Sequence, residues 1–97
     1  MNRTANFKFR LYVAGDAQNS VQARINLRAI CEAYIPGHYD IDEVDVLRHP
    51  NRALVDGIFM TPALIKLAPG GTRMIVGTLS QTNAVLIALG IEGGAPE

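Results

Sequence analysis

A chain of 97 residues with nine Gly, five Pro, one Cys and no Trp has room for one domain and one thin core. Nine basic side chains balance nine acidic ones, 48% of residues are hydrophobic and 19% charged, which excludes an acidic disordered chain and a basic nucleic-acid binder. Met1 to Asn6 lacks the apolar run of a signal peptide, no stretch approaches the ~20 apolar residues that cross a bilayer, and one cysteine leaves no internal disulfide or Cys-x-x-Cys pair.

A soluble, cytoplasmic protein with no membrane or nucleic-acid partner is therefore expected. Phe7, Phe9, Leu11 and Val13 alternate with Lys8, Arg10 and Tyr12, a period of two that predicts a strand. After Gly15 to Asn19 breaks the pattern, Ser20 is the predicted N-cap of a helix whose apolar face is Ala23, Leu27, Ile30, Cys31 and Tyr34, ended by Pro36-Gly37. Tyr39 to Leu47 is a second strand, and its alternation slips at Glu43-Val44, which predicts a bulge or an exposed face. Pro50 to Val55 is a short helix with Pro in its first turn. Ala63 to Leu67 and Arg73 to Val76 form a hairpin across Pro69-Gly70-Gly71, and Ser80 caps a last segment, Gln81 to Leu89.

The order is βαβαββα. It predicts a parallel pair joined by a helix, a hairpin added antiparallel to the same sheet, and hence a mixed four-stranded sheet with helices on both faces, the thioredoxin-like arrangement. Residues 7–91 are the expected domain, with a tail over 1–6 and a flexible tail over 92–97.

The chemistry of that arrangement is missing. The loop after the first strand, where thioredoxin-like folds carry their thiol pair, holds Ala17-Gln18-Asn19-Ser20, and Cys31 falls on the apolar helix face as an inert core thiol. His38 and His49 lack metal-site spacing, Asp40, Asp42, Glu43 and Asp45 would splay to opposite faces of a strand, and Gly70-Gly71 lacks the Lys-Ser/Thr of a phosphate loop. No catalytic residue, metal or cofactor is expected. Two features stay open: Thr61-Pro62 opens a strand either through a cis bond or as a rigid turn, and Ala84 to Leu89 is a continuous apolar run that fits a buried helix or a region with two accessible folds.

Leu11-Tyr12-Val13-Ala14-Gly15, Asn19-Ser20, Ile41-x-x-Val44-Asp45-Val46-Leu47 with Pro50, Thr61-Pro62-Ala63-Leu64 and Ile75-x-Gly77-x-Leu79-Ser80 followed by Val85-Leu86-Ile87 together resemble the KaiB circadian-clock family, over about Phe7 to Leu89. The resemblance implies a non-enzymatic timing regulator that switches between a tetrameric fold and a monomeric thioredoxin-like fold. The latter docks on the KaiC-type hexameric ATPase, competes with the SasA-type sensor kinase and sequesters KaiA. It also implies partner contact by Lys66 and Arg73 and conformational roles for Pro62 and Ala88.

The chain departs from the family pattern at Gln22, Gly57 and Met74, which stand where basic residues are common, at Ala88 in place of Gly, and at Gly90 in place of an acidic residue. Ala for Gly inside a helix is worth roughly 0.5–1 kcal/mol, so the thioredoxin-like fold is expected to dominate in a divergent or non-cyanobacterial homologue. Apolar positions such as Tyr12 and Phe59, left on a one-sided sheet, would support a dimer or tetramer. The rival readings are the thioredoxin-like recognition domain of a SasA-type kinase, a stress-signalling adaptor and a degenerate thiol enzyme.

Overall fold

The computed structural model describes residues 6–91, so both expected tails lie outside the described residues, apart from Asn6. Its elements run β1 (Phe7–Val13), α1 (Gln18–Tyr34), β2 (Tyr39–Asp45), α2 (Pro50–Val55), β3 (Ala63–Ala68), β4 (Arg73–Val76) and α3 (Thr82–Leu89). The strands lie in the order β2-β1-β3-β4. β1 pairs parallel with β2 from Phe7↔Tyr39 to Val13↔Asp45, while β3 is antiparallel to both β1 and β4.

The period of two in β1 sorts its side chains onto two cores. Phe7, Phe9, Leu11 and Val13 meet Ala23, Leu27, Ile30 and Cys31 of α1 and Val85, Leu86 and Leu89 of α3. On the opposite face Tyr12 meets Val44, Ala53, Ile58, Ala63 and Ile65 under α2. Helices thus cover both faces, as the element order implies. Tyr12 corrects one expectation: it is fully buried at 0% exposure and offers nothing to self-association.

Three local readings also change. β2 ends at Asp45 and keeps an unbroken register with β1, so of the two expectations the bulge is absent and the exposed face is present at Asp40, Asp42 and Glu43; the irregularity falls between Lys8 and Phe9, where β1 meets β3. β2 is an edge strand whose start packs Tyr39 and Ile41 against the α1 side, whereas its end packs Val44 and Val46 against the α2 side. Apolar character crosses faces along the strand, and in sequence that change of side mimics a bulge.

Ser20 does not cap α1, which begins two residues earlier with Ala17 at the N-cap and no side-chain cap. Its hydroxyl instead accepts the Ala14 amide at 3.0 Å and secures the loop after β1. Ser80 likewise lies outside α3, whose N-cap is Gln81. The chain is turned there by Leu79, a buried leucine at φ 64°, in a region that costs a residue with a Cβ about 1 kcal/mol or more. Thr61-Pro62 and Ala68-Pro69 are both cis.

Candidate partner-binding surface

At the thioredoxin redox position, between β1 and the first turn of α1, the structure places Ala17, Gln18, Asn19 and Ser20. Cys31 is fully enclosed on the α1 face of the sheet, and burial pushes its thiol up to about 12, the opposite of what a nucleophile needs. Among the described residues no group of three His, Cys, Asp or Glu side chains is placed to hold a metal ion.

The acidic run of β2 is matched by cations from neighbouring elements. The parallel register sets Lys8 beside Asp40 at 3.2 Å and Arg10 beside Asp42 at 3.0 Å, and α1 brings Arg24 to 2.7 Å from Glu43. Asp45 accepts the backbone amides of Gly15 at 3.1 Å and Leu47 at 2.9 Å on one carboxylate oxygen and so shapes two loops. Exposed pairs of this kind contribute about 0–1 kcal/mol each.

Under α2 the same rail continues into a denser polar cluster. Arg10 also pairs with Asp56 at 3.0 Å, Arg52 reaches Asp42 at 2.7 Å, and the Tyr12 hydroxyl lies 2.6 Å from Asp56 and 3.0 Å from the Arg52 carbonyl oxygen. Asp42 is held below its ordinary value chiefly by the hydrogen bond from Arg52 and then by Arg10. Asp56 is lowered chiefly by the hydrogen bond from Tyr12, and the Tyr12 phenol is raised by burial first and by that carboxylate second. A cleft of about 260 Å³ opens beside this cluster, but both guanidiniums in its wall already face carboxylates. Its chemistry is that of a brace between sheet and helix.

The open surface lies further along the same side. Val55 is 84% exposed, Phe59 89% and Met60 65%, and Met74 and Val76 of the edge strand β4 are half exposed next to them. A second cleft of about 140 Å³ separates Phe59 and Met60 from Met74 and Val76. A large exposed apolar patch of this sort marks an interaction surface. Sequence reading picked out Phe59 and missed its extent, although the run Ile58-Phe59-Met60 ahead of Thr61-Pro62 was a usable signal.

The residues singled out from sequence are dispersed by the fold. Arg73 is exposed at the start of β4, on the face opposite this patch because it pairs across the strands with Lys66, and it makes no ion pair among the described residues. Lys66 is buried on that same face of the sheet, its ammonium donating to the Leu89 carbonyl at 3.0 Å. Pro62 is buried just before β3, and its carbonyl accepts the Gly77 amide at 2.9 Å. Ala88 is exposed on α3.

Gly90 closes that helix. At φ 72° it is left-handed; its amide reaches the Ile87 carbonyl at 3.2 Å and the Ile91 amide reaches Leu86 at 3.0 Å. That is a Schellman closure, completed by the packing of Ile91 into the same core as Leu86. Glycine at this position therefore has a direct structural use.

A thioredoxin-like sheet with no thiol at the redox position, and its one cysteine locked in the core, defines a thioredoxin-fold protein without the thioredoxin redox pair. Comparison with solved structures agrees: mitochondrial thioredoxin 3 of Saccharomyces cerevisiae superposes with a TM-score of 0.70 at 15% identity, over 91% of this chain and 80% of that one. The N-terminal domain of SasA from Synechococcus elongatus superposes with a TM-score of 0.65 at 25% identity, over 96% of this chain and 92% of that domain. The KaiB domain model matches residues 10–91. The circadian clock oscillator protein KaiB of Prochlorococcus marinus (strain NATL2A) is 42% identical over 92% of this chain and 83% of its own length. The chain belongs to the KaiB family of circadian clock proteins.

Proposed function

We propose that this protein is a non-enzymatic clock regulator that docks on a KaiC-type hexameric ATPase, competes there with a SasA-type kinase and sequesters KaiA where KaiA is present. One observation carries the reading: a KaiB-family sequence and an arrangement shared with the SasA N-terminal domain occur in one chain. Two clock proteins of one shape have the means to compete for one site. The reading places the protein in the cytoplasm, with residues 7–91 as the binding unit and no cofactor.

In this reading the patch of Phe59, Met60 and Met74 supplies the apolar contact, and Arg73, on the other face of the same edge strand, the direct charge contact. Lys66 shares the face of Arg73 and contributes through the helix end it holds. Pro62 sets the entry to β3, and Ala88 biases residues 82–89 towards helix. The same apolar patch gives the free protein a surface for self-association into a dimer or tetramer. A stand-alone SasA-type recognition domain is the weaker reading, since identity to the KaiB protein is 42% and to the SasA domain 25%.

Gel filtration with a hexameric KaiC-type ATPase tests the proposal. The chain is expected to co-elute with the hexamer when ATP is supplied, and Arg73→Glu to weaken binding about tenfold, the scale of one close interfacial charge pair. Elution of the wild-type chain as a separate peak, with and without ATP, would overturn it.

A further inference from the structure

Lys66 is the one charged side chain among the buried residues described, and it faces the α1 and α3 side of the sheet, as does Leu64. Its ammonium lies 3.0 Å from the carbonyl of Leu89, the last residue of α3. The Schellman closure at Gly90 and Ile91 takes up the carbonyls of Leu86 and Ile87 and leaves that of Leu89 to an outside donor. The α3 helix has no basic residue in its last turn, so the cation that complements the negative end of the helix comes from a strand 23 positions earlier in the chain. The ammonium lies against the backbone at Gly70 and Gly90, where an added Cβ would stand 3.9 and 3.8 Å from it, at ordinary contact distance.

The other end of this short helix is held in the same indirect way. No side chain caps the first turn of α3, and it carries no acidic residue. The strained Leu79 precedes it, and the amide of Asn26 on α1 donates to the Thr78 carbonyl at 2.8 Å. An eight-residue helix is marginal on its own in water, so its docking depends on such tethers and on the burial of Val85, Leu86 and Leu89.

We propose that Lys66 and Asn26 are positioning residues that latch the α3 region to the rest of the fold, Lys66 from β3 at the end of the helix and Asn26 from α1 at the loop before it, so that loss of either loosens residues 77–91 relative to β1, β2 and the rest of α1. The proposal is independent of what the protein docks on. It assigns Lys66 an internal role in this fold and makes the stability of the α3 region adjustable at two points far from the helix in sequence.

Native-state amide hydrogen exchange on the full chain tests the latch. In Lys66→Met, which keeps a long apolar stem and removes the donor, the amides of residues 85–91 are expected to exchange about tenfold faster relative to those of Phe9 and Leu11. Asn26→Ala is expected to shift the same amides in the same direction. Lys66→Arg, which restores charge and donors, is expected to recover most of the protection, which a purely steric role would not give. If Lys66→Met prevents folding, the arginine and Asn26 variants carry the comparison. Unchanged protection at residues 85–91, or an equal loss in every element, would overturn the latch.

Discussion

Replacing Leu86 with Ala is expected to lower the stability of this protein by about 2–5 kcal/mol, read as a shift of the urea midpoint at constant slope. Leu86 is fully buried in the same core as Leu27, Leu64 and Leu89, so its removal leaves a cavity there. The adjacent Ile87 is 70% exposed, so Ile87→Ala is expected to change stability by less than about 0.5 kcal/mol. The contrast between neighbours follows from helical geometry: Val85, Leu86 and Leu89 share a face at helical spacing and Ile87 points away. In a strand, Val85 and Ile87 would share a face and Leu86 the other. A loss at Ile87 as large as that at Val85 would therefore contradict the helical assignment of this segment.

Replacing Asp56 with Ala is expected to cost about 1.5–3 kcal/mol, the range for deleting a charged partner from a part-buried hydrogen bond. The carboxylate receives the hydroxyl of fully buried Tyr12 at 2.6 Å and the Arg10 guanidinium at 3.0 Å, and both would lose their charged acceptor. Arg10 keeps Asp42 and the Tyr12 hydroxyl keeps the Arg52 carbonyl, which limits the loss. A Tyr12→Phe, Asp56→Ala double-mutant cycle isolates the pair, with a coupling of about 1 kcal/mol expected.

The pH dependence has a fixed sign. The carboxyl of Asp56 is lowered in the folded state from its ordinary 3.8, so its contribution is complete above that value and fades as acid carries the pH down through the lower, folded value. The gap in stability between wild type and Asp56→Ala should be wide at neutral pH and narrow below about pH 4. A gap that widens in acid would contradict the assignment.

The architecture was legible because β1 alternates cleanly and the apolar face of α1 keeps helical spacing, both direct consequences of burying one side of an element. That the redox position holds no thiol was legible too, since that position is defined by its distance from β1. The polar brace was not. Arg10, Asp42, Arg52 and Asp56 lie on four different elements or loops, and only the parallel register and the placement of α2 bring them together. The internal bond of Lys66 was not legible for a related reason: its acceptor, the Leu89 carbonyl, lies 23 positions away and is brought above β3 only by the docking of α3. The helix starts were misplaced because Ser20 and Ser80 have the chemistry of N-caps, yet one hydroxyl serves a loop amide and the other accepts from Thr78.

In the proposed function this chain uses the thioredoxin shape, and not thioredoxin chemistry, to occupy a site that a SasA-type domain also occupies. Displacement of a fluorescently labelled SasA-type N-terminal domain from a KaiC-type hexamer tests it most directly. Titration with unlabelled chain is predicted to return the anisotropy to that of the free domain, with Cys31→Ala equally potent. Anisotropy that stays high at saturating chain, or displacement that requires Cys31, would contradict it.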